Sequence, residues 1–366
     1  MASIRRRSKE DGGGYQVRYQ CTDGKSHART FRRKVDAEKF ARNVETDKDR
    51  GEWINPRLAR ITFEEWTTEW LSTIRHVKPG TRANYETILR AHLVPYFGDM
   101  EMGKIQPVHV RAFIAHLVDA GLAPSRVGSI KRLLANIFNA AVANGTIAKS
   151  PVDGVKVPHV EGREMHFLTA AEVTRLADHV EPPNDILIYI LAYGGLRYGE
   201  AAALRRSRVN LLRSRLDVVE SVTEVNGKCI FGPTKTYLRR SVVIPAFLRD
   251  MLARHLDENV PDDPDALVFT APRGGVLSYH NFRRRDWIPA RQAAGFPDDL
   301  RIHDLRHTCA ALLISKGAPA KMIQAHLGHA TISLTFDRYG HLYPDDQERI
   351  AEALDATFRN VHIRSG

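Results

Sequence analysis

Cysteine is scarce in this chain. Cys21, Cys229 and Cys309 are odd in number, far apart and form no C-x-x-C pair. A disulfide scaffold and a thiolate zinc centre are thereby disfavoured, and a reducing cytosol fits. Long apolar runs are missing too: the longest, Ile186 to Leu196, is too short to span a bilayer. The start, Met1 to Arg7, is basic but lacks the apolar stretch of a signal peptide. The expectation is a cytoplasmic protein with no membrane partner. The sequence also lacks internal repeats and low-complexity tracts.

What is in excess is positive charge. Lys and Arg number 54 against 43 Asp and Glu, a net +11 with a pI near 9.6. A polyanionic partner is favoured, and the distribution of charge sharpens this. Residues 1–60 hold 16 basic and 9 acidic residues (+7), residues 61–160 hold 11 and 8 (+3), and residues 161–366 hold 27 and 26 (+1). The basic excess sits in the smallest part. Further along, arginines must act by placement.

At 366 residues, two or three domains are expected. Residues 1–58 read as a small β-rich module. Tyr15–Tyr19 and Ala28–Arg32 alternate apolar and basic residues around Asp23-Gly24, a hairpin signal, and a helix from about Val35 to Arg50 follows. A hairpin with arginines on one face fits a major groove. Residues 59–152 read as all-helical. The box Thr62-x-x-Glu65 opens a helix, and others are expected near 80–94, 107–120 and 124–144, punctuated by Pro79-Gly80, Pro95, Pro107 and Gly121. Arg82, Arg126, Lys131 and Arg132 are candidate backbone contacts. Residues 153–168, with Gly154, Pro158 and Gly162, read as a linker. A second box, Thr169-x-x-Glu172, opens a mixed, mostly helical domain over 169–366. Strands are expected there at Leu216–Val225 and Ser241–Ile244, around a turn near Asn226-Gly227.

The chemistry-bearing residues gather near the end. His303-x-x-Arg306-His307, Leu327-Gly328-His329 and Tyr339 fall within forty residues, and Gly194-Gly195-Leu196-Arg197-Tyr198-Gly199-Glu200 adds an arginine upstream. Arginine offers a planar fork of donors to phosphate oxygens, and histidine moves protons near neutral pH. A tyrosine hydroxyl can attack phosphorus to form a covalent intermediate. His303 and Arg306, three apart on an expected helix, project from one face. His307 points elsewhere and reads as a hydrogen-bonded structural histidine. Gly195 is expected to permit close approach of backbone or DNA. Tyr343 lies four residues beyond Tyr339, on the same side in a helical register.

Together these residues resemble the signature of the tyrosine recombinases, the phage integrase family. Arg197 resembles the family's first arginine, His303 and Arg306 its His-x-x-Arg box, His329 its penultimate histidine and Tyr339 its nucleophile. Its lysine normally lies on a β-hairpin before a Val-x-x-Pro-like strand. Lys235, ahead of Arg239-Arg240-Ser241-Val242-Val243-Ile244-Pro245, is similar, and Lys228 competes.

The resemblance implies a multidomain, mainly α fold with small β elements. It comprises an arm-type DNA-binding domain (1–58), a helical core-type DNA-binding domain (59–152), a linker (153–168) and a catalytic domain (169–366). It implies attack by Tyr339 to leave a 3′-phosphotyrosine. Arg197, Arg306 and His329 hold the phosphate, Lys235 protonates the leaving 5′-oxygen, and His303 handles the proton at the tyrosine. No metal or other cofactor is implied. Implied partners are double-stranded attachment sites of core and arm type, a homotetramer on DNA, a host DNA-bending protein and an excisionase. A type IB topoisomerase and a non-catalytic DNA-binding regulator are the competing readings. Relaxation needs no separate basic arm module.

Overall fold

The computed structural model describes residues 2–8, 13–20, 26–49, 58–158, 164–234, 239–343, 351–352 and 354–355. The chain divides into two compact units, Met1–Gly162 and Arg163–Gly366. Among the described residues no helix is long and apolar enough to cross a membrane.

The first unit begins with an antiparallel sheet in the order β1 (Ser3–Arg6), β2 (Tyr15–Gln20), β3 (Ser26–Phe31), followed by helix α1 (Lys34–Asp49). Strand β1 was not expected; only four residues long, it has no apolar alternation to mark it. Val17, Tyr19, Ala37, Ala41 and Val44 bury the common face of sheet and helix. The register corrects one expectation, that the hairpin arginines share a face. Val17 pairs with Arg29, and Arg18 pairs with Ala28, so side chains of Arg18 and Arg29 leave opposite faces. Arg29 stacks over Phe31 and Phe40 at 5.3 and 5.2 Å, whereas Arg5 and Arg18 share the outer face. The expected turn at Asp23-Gly24 lies outside the described residues.

Five helices follow: α2 (Phe63–Thr73), α3 (Pro79–Ile88), α4 (Val94–Phe97), α5 (Pro107–Asp119) and α6 (Pro124–Ala143). The Thr62 box forms as read, with Glu65 N–H donating to Thr62 Oγ1 at 3.2 Å and Thr62 N–H to Glu65 Oε2 at 2.9 Å. Pro79, Pro107 and Pro124 start helices, where a missing N–H costs nothing. Pro95 does not end one. A π turn at Leu89–Leu93 carries α3 directly into α4, and its wider loop accommodates a ring that would crowd a regular turn. Phe63, Phe97, Phe113 and Phe138 meet at ring separations of 5.0–5.9 Å to centre the core. Val152 and Val155 close it, so the aperiodic stretch after residue 151 is partly packed.

The second unit holds α7 (Ala170–Ala177), α8 (Asp185–Tyr189), α9 (Tyr198–Ala202), strands β4 (Val209–Asn210), β5 (Arg215–Val218), β6 (Glu220–Val225), β7 (Lys228–Pro233) and β8 (Arg240–Val243). Then come helices α10 (Ala246–Asn259), α11 (Tyr279–Phe282), α12 (Ile288–Ala293), α13 (Asp304–Ser315), α14 (Ala320–Leu327) and α15 (Ser333–Tyr339). The strands make two small antiparallel sheets, β4-β5-β8 and β6-β7. The Asn226-Gly227 turn therefore joins β6 to β7, while the strand at Arg240–Val243 pairs with β5. The expected single strand over 216–225 is broken after Val218. Asn226 and Gly227, at φ +51 and +75, supply the left-handed pair such a two-residue turn demands. A large core around Leu187, Leu216, Leu252, Phe269 and Trp287 supports one side of this unit. A smaller one, with Cys309, Ile314, Ile323, Leu327 and Tyr339, supports the other and receives Met165 and Phe167.

Candidate active site

The site is assembled on α9, α13, α14 and α15. A π turn, Ile190–Gly194, ends α8 and is stopped by Gly195 at φ +62. A Cβ on Gly195 would lie 2.7 Å from Leu327 Cδ2 and 2.9 Å from Cys309 Sγ. The close approach expected there is thus made by protein side chains of α13 and α14. Arg197 follows as the N-cap of α9.

Arg197 is anchored by Glu200, its Nη1 donating to Oε1 at 2.7 Å and its N–H to Oε2 at 2.9 Å. From β8, Arg240 grips the same carboxylate through Nη1 at 3.1 Å and Nη2 at 2.6 Å, and its Nε donates to the His326 carbonyl at 3.0 Å. Glu200 is 2% exposed. Burial raises its pKa, but the hydrogen bonds and charge of Arg240, then of Arg197, outweigh this and bring it to about 2.

Arg306, buried on α13, spends Nη1 on the Gly195 carbonyl and Nη2 on that of Leu327. Desolvation and the nearby Arg197 and Arg240 take its pKa down to about 9 against the pull of Glu200, so it remains cationic at neutral pH. His303 stands three residues before Arg306 in helical backbone geometry and feels its charge. It is the N-cap of α13, is exposed, and packs edge-on against His307 at 5.0 Å.

His307 corrects the sequence reading most. It does not point away: its Nδ1 is hydrogen-bonded to the Tyr339 hydroxyl at 2.7 Å, in a buried position. On the other side of the phenol the His329 ring stacks at 6.2 Å and 14°. Gly328, left-handed at φ +67, terminates α14 and turns the chain so that His329 Nδ1 meets Thr335 Oγ1 at 3.0 Å. Tyr339 has no exposed surface, and burial pushes its pKa up to about 12 despite Arg306 and Arg338. Tyr343 does not share its side. Helix α15 ends at Tyr339, a 3-10 turn intervenes, and the Tyr343 hydroxyl donates to the Ala318 carbonyl at 3.5 Å.

The three histidines share one electrostatic signature. Desolvation first, then neighbouring cations, lower His303 to about 3 and both His307 and His329 to about 4. Arg197, Arg306 and Arg338 recur among the causes, and Asp304 partly opposes them at His307. The site is a cationic pocket around a neutral phenol, and a phosphate is the charge it lacks. A cleft of about 270 Å³ between Tyr198, Val222, Glu224, Leu277 and Tyr279 contains none of these cations.

The phage integrase family model matches residues 166–346, and that of the phage integrase N-terminal SAM-like domain matches residues 62–118. The chain belongs to the phage integrase family. This family member is a tyrosine site-specific recombinase. It is 29% identical over 290 residues to the ICEBs1 integrase of Bacillus subtilis (strain 168), covering 76% of this chain and 78% of that one. Its fold is similar to the Tn1549 transposon integrase in complex with a circular intermediate DNA (TM-score 0.70, 17% identity, 80% of this chain and 99% of that chain). It is also similar to a lambda integrase tetramer bound to a Holliday junction (TM-score 0.59, 20% identity, 94% and 95%).

Of the six expected site residues, Arg197, His303, Arg306, His329 and Tyr339 come together here. Lys235 lies outside the described residues. Lys228 is exposed at the tip of the β6–β7 turn. Sequence reasoning missed Glu200, Arg240 and His307. Glu200 was signalled by its place three residues after Arg197, the spacing of a reciprocal cap. His307 was signalled by its i,i+4 relation to His303. Arg240 carried no signal, since only strand pairing brings β8 beside α9.

Proposed function

We propose that this recombinase cleaves and rejoins double-stranded DNA through a covalent bond from Tyr339 to a 3′-phosphate, integrating and excising a phage, prophage or related mobile element. The observation that carries this is the Tyr339 hydroxyl bonded to His307, with His329 stacked on its ring and the charges of Arg306 and Arg338 beside it. Arg197 and Arg306 bind the non-bridging oxygens as charge builds on phosphorus, with His329 beside them. Lys235 donates the proton to the leaving 5′-oxygen, as the resemblance implies. The phosphotyrosyl bond keeps the energy of the broken phosphodiester, so the chain rejoins without a high-energy cofactor.

Substrate must reach a phenol that is wholly covered in this structure, so a local opening precedes attack. The sheet-and-helix module at residues 1–58 would contact arm-type sites, using the outer face that carries Arg5 and Arg18. The helical module at 59–152 would contact core-type sites, and strand exchange would proceed in a homotetramer on DNA. A host DNA-bending protein and an excisionase would set direction.

The test is recombination between the element's two end junctions by the purified protein, with and without Tyr339→Phe. Recombinant product and a denaturant-resistant protein–DNA adduct are expected only with the unaltered chain. Relaxation of supercoiled DNA without strand exchange would instead favour a topoisomerase.

A further inference from the structure

We infer that His307 is the residue that takes the phenolic proton of Tyr339 during attack. The inference rests on Tyr339 being the nucleophile and goes beyond it, because the resemblance gives this task to His303. Geometry separates the two. The Tyr339 hydroxyl is 2.7 Å from His307 Nδ1 in a buried hydrogen bond, whereas His303 sits exposed at the start of α13 and meets the ring of His307.

Placement on the helix supports the assignment. His307 directly follows Arg306, whose guanidinium is fixed by two backbone carbonyls. Arg306 also acts on the Tyr339 phenol, so a phosphate held by Arg306 lies beside the hydroxyl that His307 binds. With its proton on Nε2, the neutral imidazole accepts the phenolic hydrogen at Nδ1. As the phenol oxygen bonds to phosphorus, the O–H proton passes to Nδ1 and the P–O5′ bond breaks. The departing oxygen collects a separate proton from the general acid. Reversal returns both protons, so religation needs no further reagent.

Charged and titratable groups face His307 from every side. Asp304, Arg306 and His303 come from its own helix, Arg301 from the preceding turn, Arg338 and Tyr339 from α15, and His329 from the turn after α14. Burial first, and then Arg338, Arg301 and Arg306 against the pull of Asp304, keep it unprotonated at neutral pH, ready to accept. A bound phosphate, being anionic, raises its proton affinity at the moment a base is needed.

The experiment is single-turnover cleavage of a nicked suicide duplex by the full-length protein between pH 6.5 and 9.5. It compares wild type, His307→Ala, His307→Asn and His303→Ala, with folding and DNA affinity checked for each. Asn places an acceptor oxygen near the position of Nδ1 but takes no proton. Removing a proton acceptor costs about 10²–10⁴-fold. We expect both His307 variants to be slowed on that scale at pH 7. Their deficit should shrink about tenfold per pH unit, as hydroxide makes the phenolate directly. His303→Ala should show no such pH-dependent recovery.

A His307→Ala deficit constant with pH, or full rate in His307→Asn, would reduce His307 to a positioning group and overturn the inference. Alkaline recovery confined to His303→Ala would move the role there. The underlying reading is checked separately by mapping the wild-type adduct. DNA found on a residue other than Tyr339 would sink that reading whatever the His307 variants do.

Discussion

Arg240 and Glu200 form a two-pronged ion pair, Nη1 to Oε1 at 3.1 Å and Nη2 to Oε2 at 2.6 Å, and the same carboxylate holds Arg197. One buried anion thus orients two cations, one of which is exposed enough to meet substrate. Arg240 also reaches the backbone of α14 at His326. The pair therefore ties β8 to α14, the helix that leads into His329.

Glu200→Gln should consequently do two kinds of damage. Breaking a buried pair by neutralising one partner typically costs about 3–5 kcal/mol, and urea unfolding should register a loss of that order. Cleavage should fall further than stability explains, because Arg197 loses its anchor. The folded-state pKa of Glu200 lies below the unfolded value, so its contribution is full above pH 4.5 and fades as pH drops toward about 2. Unchanged stability in Glu200→Gln at pH 7 would contradict this.

The histidines predict a second, higher acid window. His307, His326 and His329 are each lowered to about 4 by burial and nearby arginines. Between pH 6.5 and about 4 the unfolded chain binds protons that the folded one refuses, so stability must fall as pH falls through that range. Each histidine contributes at most about 1.4 kcal/mol per pH unit. Urea titrations at successive pH values should show the loss, and His329→Asn should make the slope shallower by about one proton. A stability that rises on acidification from pH 6.5 would refute the depressed values.

How much of this was legible beforehand follows the range of each interaction. Thr62 and Thr169 marked their helix starts because a reciprocal cap is complete within four residues. Helices α5 and α6 were read nearly to their ends, since Pro and Gly flank them. The π turn ahead of Pro95 was not, because a proline read alone signals a break. Five of the six candidate residues gather in one place, but their partners did not follow from spacing. His307 was assigned away from the site since adjacent helical residues point about 100° apart. What decides its surroundings is α15 packing from more than thirty residues away. Arg240 illustrates the same limit across a sheet.

Lys235, two residues after β7 in sequence, carries a kinetic prediction. If it is the general acid, Lys235→Ala should cleave ordinary DNA about 10²–10⁴-fold more slowly. It should recover on DNA whose bridging 5′-oxygen is replaced by sulfur, a better leaving group. Lys228→Ala, altered at the exposed hairpin tip, should behave alike on both substrates. Equal defects of Lys235→Ala on the two substrates would remove it from the role.

The arm-type reading predicts separable binding. A chain lacking residues 1–58 should still cleave core DNA while losing footprints at sites remote from the crossover. Arg5→Ala with Arg18→Ala, on the outer sheet face, should weaken those remote contacts and reduce their salt dependence by about one phosphate per arginine. Arg29→Ala should act mainly through lost packing on Phe31 and Phe40. Identical footprints for the full and shortened chains would rule out two-site binding.

The most direct measurement concerns the phenol itself. Tyr339→Phe removes one oxygen and the 2.7 Å hydrogen bond to His307 while keeping the ring against His329, so DNA binding should be nearly preserved. Tyr343→Phe is the control, its hydroxyl being committed to the Ala318 carbonyl. On a nicked duplex, wild type and Tyr343→Phe should each form a denaturant-resistant adduct, with the DNA mapped by peptide analysis to Tyr339. Tyr339→Phe should form none. An adduct that persists in Tyr339→Phe, or that maps to Tyr343 or to a serine, would contradict the assignment of the nucleophile and the mechanism built on it.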